Sequence, residues 1–176
     1  GRLRWMAVMA AVLVGLDAMT WLVSGLACSW TRRSRSFPTI VAIADPQLTD
    51  KTSYSFASLT LVLPILEFVC DAYIARVGFM IRRLSPETIL FLGDLVDGGY
   101  RSNEEDFDRG LKRLERILYP PEKASVLHAV GNHDIGIGHS FCAACAERFE
   151  GRIARFPLNS AFLFDNYTVV TIDAPS

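Results

Sequence analysis

Three short apolar runs, residues 39–44 (TIVAIA), 88–92 (TILFL) and 125–130 (SVLHAV), each stop at a cluster of Asp, Gly, Asn or His. Runs of that length, rich in β-branched residues and without polar alternation, have the pattern of strands buried on both faces. Between them, residues 54–84 and 104–118 carry helical spacing, the second with Phe107, Leu111, Leu114 and Leu118 on one face. The order is βαβαβ, which implies a parallel sheet whose strands all turn their carboxyl ends toward one crevice. Asp45-Pro46-Gln47, Gly93-Asp94-Leu95-Val96-Asp97-Gly98-Gly99 and Gly131-Asn132-His133-Asp134 are therefore predicted to meet there, far apart as they are in the chain.

Carboxylate, amide and imidazole donors at such an edge suit hard or borderline divalent cations such as Mn²⁺, Zn²⁺ or Fe²⁺. The glycines permit tight turns and close approach of a phosphate to the backbone. Singly, each motif has a plainer reading: Asp45 as a helix N-cap, Asp94 and Asp97 as turn residues satisfying backbone donors, His133 as a surface side chain. Jointly, in this order and each at a strand end, they are better accounted for by a metal site.

Residues 5–30 hold a single charged side chain, Asp17, and about 20 apolar residues suffice to cross a hydrocarbon core. Asp17 costs about 2.5 to 3.5 kcal/mol on insertion scales, nearly offset by Leu and Val at roughly 0.3 to 0.6 kcal/mol each. Trp5 and Trp30 sit at the two ends, where indole rings favour the interface, and Arg32, Arg33 and Arg35 follow. Residues 1–36 are expected to be a membrane anchor with a basic linker over 31–38, and residues 37–176 a globular domain. A cleaved signal peptide, favoured by Ser24, Gly25 and Ala27, is the alternative. The flanking arginines lean slightly toward a cytoplasmic domain. Residues 56–70 are also apolar, but Pro64 and Glu67 interrupt them, and they read as a packed helix or a membrane-resting surface.

With 18 basic and 19 acidic side chains, the charge balance argues against a nucleic-acid face, and 51% hydrophobic residues exclude a disordered tail. Four cysteines make no disulfide framework. Cys142 and Cys145, inside an expected helix, read as a disulfide or two packed thiols before a zinc site. Asn166-Tyr167-Thr168 is a glycosylation sequon, relevant only to a lumenal domain.

Taken in order, the three motifs resemble the signature of the calcineurin-like metallophosphoesterases: Asp-x-His, then Gly-Asp-x-x-Asp, then Gly-Asn-His-Asp/Glu. The second and third are intact, while Gln47 stands where the first has a metal-binding His. The resemblance implies an α/β fold, a layered α/β/β/α sandwich of which residues 37–176 form the N-terminal part, preceded by a transmembrane helix. It also implies two divalent metal ions, Mn²⁺ first among them with Zn²⁺ or Fe²⁺ as alternatives. Asp45 would bind one ion, Asp94 would bridge both, and Asn132 would bind the second, with the Gln47 amide replacing the usual imidazole. His133 would be the general acid, oriented and charge-stabilised by Asp97, in a hydrolysis driven by a hydroxide bridging the metals.

More narrowly, ADPQL at 44–48, Asp71-Ala72-Tyr73 before a basic helix, FLGDLVDGG and GNHDIG are similar to a membrane-bound branch that remodels glycosylphosphatidylinositol (GPI) anchors. That likeness implies removal of ethanolamine phosphate from a GPI mannose, a GPI-linked glycolipid or GPI-anchored protein as substrate, and no nucleic acid. It places a lumenal domain on the endoplasmic reticulum or Golgi membrane, against the lean of the flanking charges. Protein serine/threonine phosphatases follow the second motif with a phosphate-clamping Arg, and Gly98 occupies that position here. The alternatives are a metallophosphoesterase acting on nucleotides or phosphoproteins, or a degenerate member serving as an interaction scaffold. The family draws further histidine ligands from later segments. Of the three histidines here, His128 reads as core and His139 as a surface loop, so these 176 residues alone are expected to show no metal-dependent turnover.

Overall fold

The computed structural model describes residues 1–27, 38–56, 62–118, 123–154, 156–164 and 167–174. Trp30, the linker before Pro38 and Asn166 of the sequon lie outside the described residues. Two compact units are present, Gly1–Arg35 and Ser36–Ser176. The described part of the first is one helix, α1 (Arg2–Ala27), which exposes large apolar side chains along its length from Trp5 to Leu26. At about 1.5 Å per residue it is roughly 39 Å long, and by length and composition it is long and apolar enough to cross a membrane.

The second unit is mixed α/β with a parallel sheet. Its strands β1 (Ile40–Ile43), β2 (Thr88–Phe91) and β3 (Ser125–His128) lie in the order β1-β2-β3. In register, Val41, Ile89 and Val126 align across the sheet, as do Ile43, Phe91 and His128. This row meets the two crossover helices, α2 (Val62–Leu84) and α3 (Glu104–Leu118), in one core with Ile81, Leu114, Ile117 and Leu118. Helix α3 has the bounds its periodicity predicts. Asn103 caps it by accepting from the Asp106 N–H at 2.9 Å, and Glu104, Glu105 and Asp106 fill its first turn, where the helix dipole favours negative charge.

Two expectations need correction. Only β2 is buried through most of its length, whereas Ile40 and Ala42 of β1 and Ser125 of β3 are exposed. The cause is position: β1 and β3 are the outer strands of the described sheet, and β2 alone has a neighbour on each side. Helix α2 is described from Val62 and the chain is not helical at 54–56, because Asp50 forms a local turn just before it. The Asp50 carboxylate accepts from the Thr52 N–H at 2.7 Å, and the Asp50 N–H donates to Ser53 Oγ at 2.9 Å, bonds that compete with a helical start.

Beyond β3 come a one-turn helix α4 (Asn132–Ile135), a 3₁₀ turn (Gly138–Ser140) and α5 (Ala143–Phe149). A π turn (Glu150–Ala154) and an antiparallel hairpin of β4 (Ser160–Phe164) and β5 (Tyr167–Thr171) follow. Cys142 and Cys145 form a disulfide, with Cys142 capping α5 instead of lying inside it.

Candidate active site

Parallel hydrogen bonding continues past the ends of the strands and stitches the motifs together. The Leu92 N–H donates to the Ile43 carbonyl at 2.8 Å and the Ala129 N–H to the Phe91 carbonyl at 2.7 Å. Further out, the Gln47 N–H reaches the Asp94 carbonyl at 2.9 Å, the Leu48 N–H the Leu95 carbonyl at 3.1 Å, and the Asp97 N–H the Leu48 carbonyl at 3.2 Å. The chain must bend sharply to do this. Asp45, Gln47 and Asp94 take φ of +48°, +36° and +54°, and the only other non-glycine residue in the left-handed region among those described is Ser85. Such conformations cost about 1 to 3 kcal/mol each and cluster where function fixes the backbone. Three of the residues singled out by sequence are thus strained.

Asp134 ties the second motif to the third. Its Oδ2 accepts the N–H groups of Asp94 at 2.8 Å and Gly131 at 2.9 Å, and its Oδ1 accepts that of Leu95 at 3.0 Å. Burial pushes this carboxyl up to about 6, against the pull of those three N–H groups and with a further push from the Asp94 charge. A side chain at position 131 would have its Cβ 2.2 Å from Asp94 Oδ1, so only glycine fits.

Asp94 itself is buried, and its carboxyl is raised first by that burial. The His133 N–H, donating to Oδ1 at 2.7 Å, works in the opposite direction. The Asp45 carboxyl beside it raises it further. The neighbouring carboxylates of Asp45 and Asp94, with the Gln47 amide on the same loop, make a donor set that fits a hard divalent cation. Asn132 opens α4 beside His133 with its side chain exposed. Among the described residues no three His, Cys, Asp or Glu side chains converge on one metal position, so the residues present offer a carboxylate pair flanked by amides.

The His133 ring is half-buried, with Nδ1 2.5 Å from the Asp97 carbonyl and 3.1 Å from Asp97 Oδ1. An Nδ1–H donated to that carbonyl leaves Nε2 as the ring atom that can exchange a proton with a ligand. His133 and Asp97 are therefore brought together. The other two histidines stay apart: His128 stacks on Phe91 with ring centroids 5.0 Å apart, and His139 is exposed in the 3₁₀ turn.

Three supporting residues escaped the sequence reading. Asp134 belonged to a recognised motif but received no role. Asp50 accepts the Gly98 N–H at 2.8 Å, and its signal was the local Asp-x-Thr turn pattern. A Cβ at position 98 would lie 2.2 Å from Thr52 Oγ1 and 2.5 Å from Asp50 Oδ2, so the place where serine/threonine phosphatases carry Arg is closed. Arg113, buried on α3, donates to Asp71 Oδ1 at 2.6 Å, to Glu67 Oε1 at 3.1 Å and to the Thr49 carbonyl at 2.9 Å. Asp71 thus has a structural partner, and Glu67 and Asp71, one helical turn apart in an apolar segment, were its signal.

Residues 38–173 match the calcineurin-like phosphoesterase family. The chain belongs to that family. Metallophosphoesterase 1 of Danio rerio is 39% identical over 67 residues, 38% of this chain and 18% of that protein. Cell division control protein 1 of Saccharomyces cerevisiae is 30% identical over 135 residues, 76% of this chain and 27% of that protein. The matched stretch of this chain therefore spans little more than a quarter of the length of these relatives at most. Members of the family are phosphoesterases that use divalent metal ions.

Proposed function

We propose that the protein is a metal-dependent phosphodiesterase at a membrane surface, removing ethanolamine phosphate from a mannose of a GPI-linked glycolipid or GPI-anchored protein. The observation that carries the reading is the facing pair Asp45 and Asp94, with the His133 N–H on Asp94 and the His133 ring backed by Asp97. Sequence likeness to the GPI-remodelling branch supplies the substrate, and α1 supplies an anchor for an endoplasmic reticulum or Golgi membrane with the catalytic domain in the lumen. Residues 1–36 are then anchor and linker, and residues 37–176 the N-terminal part of a two-sheet α/β/β/α sandwich. Confinement of enzyme and substrate to one surface raises their effective concentration.

Two divalent cations, Mn²⁺ by preference, held by Asp45, Gln47, Asp94 and Asn132, would activate water and neutralise charge on the phosphoryl oxygens. Asp97 fixes the His133 ring through Nδ1 and leaves Nε2 to meet the ligand. His133 then delivers a proton from Nε2 to the departing alkoxide. Asp94 is fixed by the His133 N–H and the Asp134 clamp, which hold its carboxylate toward Asp45.

The test uses the full-length protein, Mn²⁺ and a GPI glycan bearing ethanolamine phosphate. Asp94→Ala should lose both metal and turnover. His133→Ala should keep most metal yet fall roughly 10²- to 10⁴-fold on an alkyl diester, and far less on a nitrophenyl diester whose leaving group needs no proton. Equal losses on both diesters would remove His133 as the acid. Cleavage of nucleotide diesters but not of the GPI glycan would overturn the substrate assignment.

A further inference from the structure

Helix α2 wears its polarity inside out. Its acidic side chains Glu67 and Asp71 turn to α3, where they meet Arg109 and Arg113. Its outward positions are apolar: Ile65 is 61% exposed, Phe68 73%, Val69 58% and Tyr73 68%, with Ala72 exposed among them. The spacing of three and four residues puts them on one face. Neighbouring α3, on the same side of the sheet, is ordinary by contrast, with Glu105, Arg109, Lys112, Glu115 and Arg116 outward and Phe107, Leu114 and Ile117 buried. A contiguous apolar face of this kind marks an interaction surface.

The face runs into the candidate site. Val69, Tyr73 and Val77 line a cleft of about 530 Å³ that Asp45 and Gln47 line as well. At the far end of α2, Arg82 and Arg83 are exposed, and the Arg83 guanidinium lies 5.9 Å from the Phe79 ring. Apolar and aromatic side chains along one face from Pro64 to Tyr73, followed by Arg76, Arg82 and Arg83 over its C-terminal half, form the pattern of a helix lying in a lipid–water interface.

We propose that α2 rests in the headgroup region of a bilayer and so holds the Asp45–Gln47 edge of the site at the membrane surface. The proposal rests on the membrane-anchored reading above and adds the orientation of the domain. Lipid is the occupant the surface fits: the outward positions from Pro64 to Tyr73 offer no charged side chain for a protein partner to read, the basic end suits phosphate headgroups, and the same chain carries a helix long enough to span a bilayer. A phosphoester whose lipid stays in the membrane would reach Asp45 along the α2 cleft, while a soluble nucleotide would gain nothing from it.

The experiment reads depth, not activity, so it can fail while the phosphodiesterase assay succeeds, and the reverse. An environment-sensitive fluorophore is attached to the full chain at single cysteines, Leu13→Cys, Ile65→Cys, Phe68→Cys or Lys112→Cys, in a background with Cys28→Ser and Cys70→Ser. The protein is reconstituted in vesicles of phosphatidylcholine and phosphatidylserine at roughly 4:1, with brominated acyl chains as the quencher inside the bilayer and iodide as the quencher in water. Labels at 65 and 68 should be quenched by shallow bromines at least about threefold more than the label at 112, and less deeply than the label at 13. Iodide reaching 68 as readily as 112 overturns the proposal. Shielding of 65 and 68 from both quenchers also overturns it, by showing protein over that face. Absence of lipid quenching at 13 and at 68 together removes the anchor as well, whereas quenching at 13 alone removes only the α2 contact.

Discussion

Asp134 and Asp50 are both buried carboxylates that accept backbone N–H groups, yet they hold the two sides of the site differently. Asp134 reaches across the chain to gather Asp94, Leu95 and Gly131, locking the second and third motifs to each other. Asp50 spends most of its bonding on its own turn, through the Thr52 N–H and hydroxyl, and reaches out once, to the Gly98 N–H. The loop it belongs to is otherwise carried by backbone bonds to Asp94, Leu95 and Asp97 and by Arg113 on the Thr49 carbonyl. One side is clamped from within, and the other hangs on the sheet edge by backbone bonds. Substitutions in the clamp should therefore cost stability, and substitutions on the hanging side should cost function.

The largest effect is expected from Asp134→Asn. The amide keeps the shape but turns an NH₂ toward N–H donors, leaving at least one buried group unpaired, and we expect a loss of about 2 to 4 kcal/mol. Urea unfolding of the full chain in detergent, with chelator present, measures it. The pH dependence should change too. Because the folded carboxyl is raised to about 6 from its ordinary 3.8, the folded state holds a proton the unfolded state has released between those values, so this group's contribution to stability falls as pH rises through that window. Asn does not titrate, so the variant should lose that slope. An Asp134→Asn protein as stable as the parent would mean that the motifs are not held by this clamp.

The clamp itself was partly legible in the sequence. Three strand-like runs ending in Asp, Gly, Asn and His gave the parallel βαβαβ order, and α3 was readable because Phe107, Leu111, Leu114 and Leu118 mark its face. The edge exposure of β1 was not readable, since a run such as TIVAIA looks alike whether or not another strand lies beside it. Left-handed φ at Asp45, Gln47 and Asp94 left no trace either, because Asp and Gln are common in ordinary loops. Arg113 was hidden for another reason: a basic residue on an amphipathic helix reads as solvated until the acids it pairs with, more than 40 residues away, are brought beside it.

A smaller effect should follow Asp50→Ala on the hanging side. Removing one carboxylate leaves the Gly98 N–H without its acceptor and frees the turn, costing about 1 to 2 kcal/mol. The functional consequence should be of similar size. Gly98 follows Asp97, whose carbonyl and carboxylate hold the His133 ring, so a looser turn blurs the position of that ring, and turnover should fall about tenfold while metal content stays near that of the parent. Unchanged turnover together with lost stability would place Asp50 in the scaffold alone and erase the contrast between the two sides.

The smallest change in stability belongs to Gln47→His, which restores the donor the family places there. Residue 47 is half-buried and its N–H donates to the Asp94 carbonyl, a bond that any side chain preserves. Its φ of +36° lies in a region that His enters more readily than most residues, so unfolding should move by less than about 0.5 kcal/mol. The metal should respond instead. An amide oxygen is a hard neutral donor that suits Mn²⁺, whereas imidazole suits Zn²⁺, so the exchange should raise the affinity for Zn²⁺ relative to Mn²⁺ by about tenfold, or roughly 1.4 kcal/mol. Competitive titration of the two ions into the full-length protein reads this ratio directly. A selectivity ratio that does not move would show that the Gln47 side chain does not face the metals, and the hanging side would then contribute Asp45 alone.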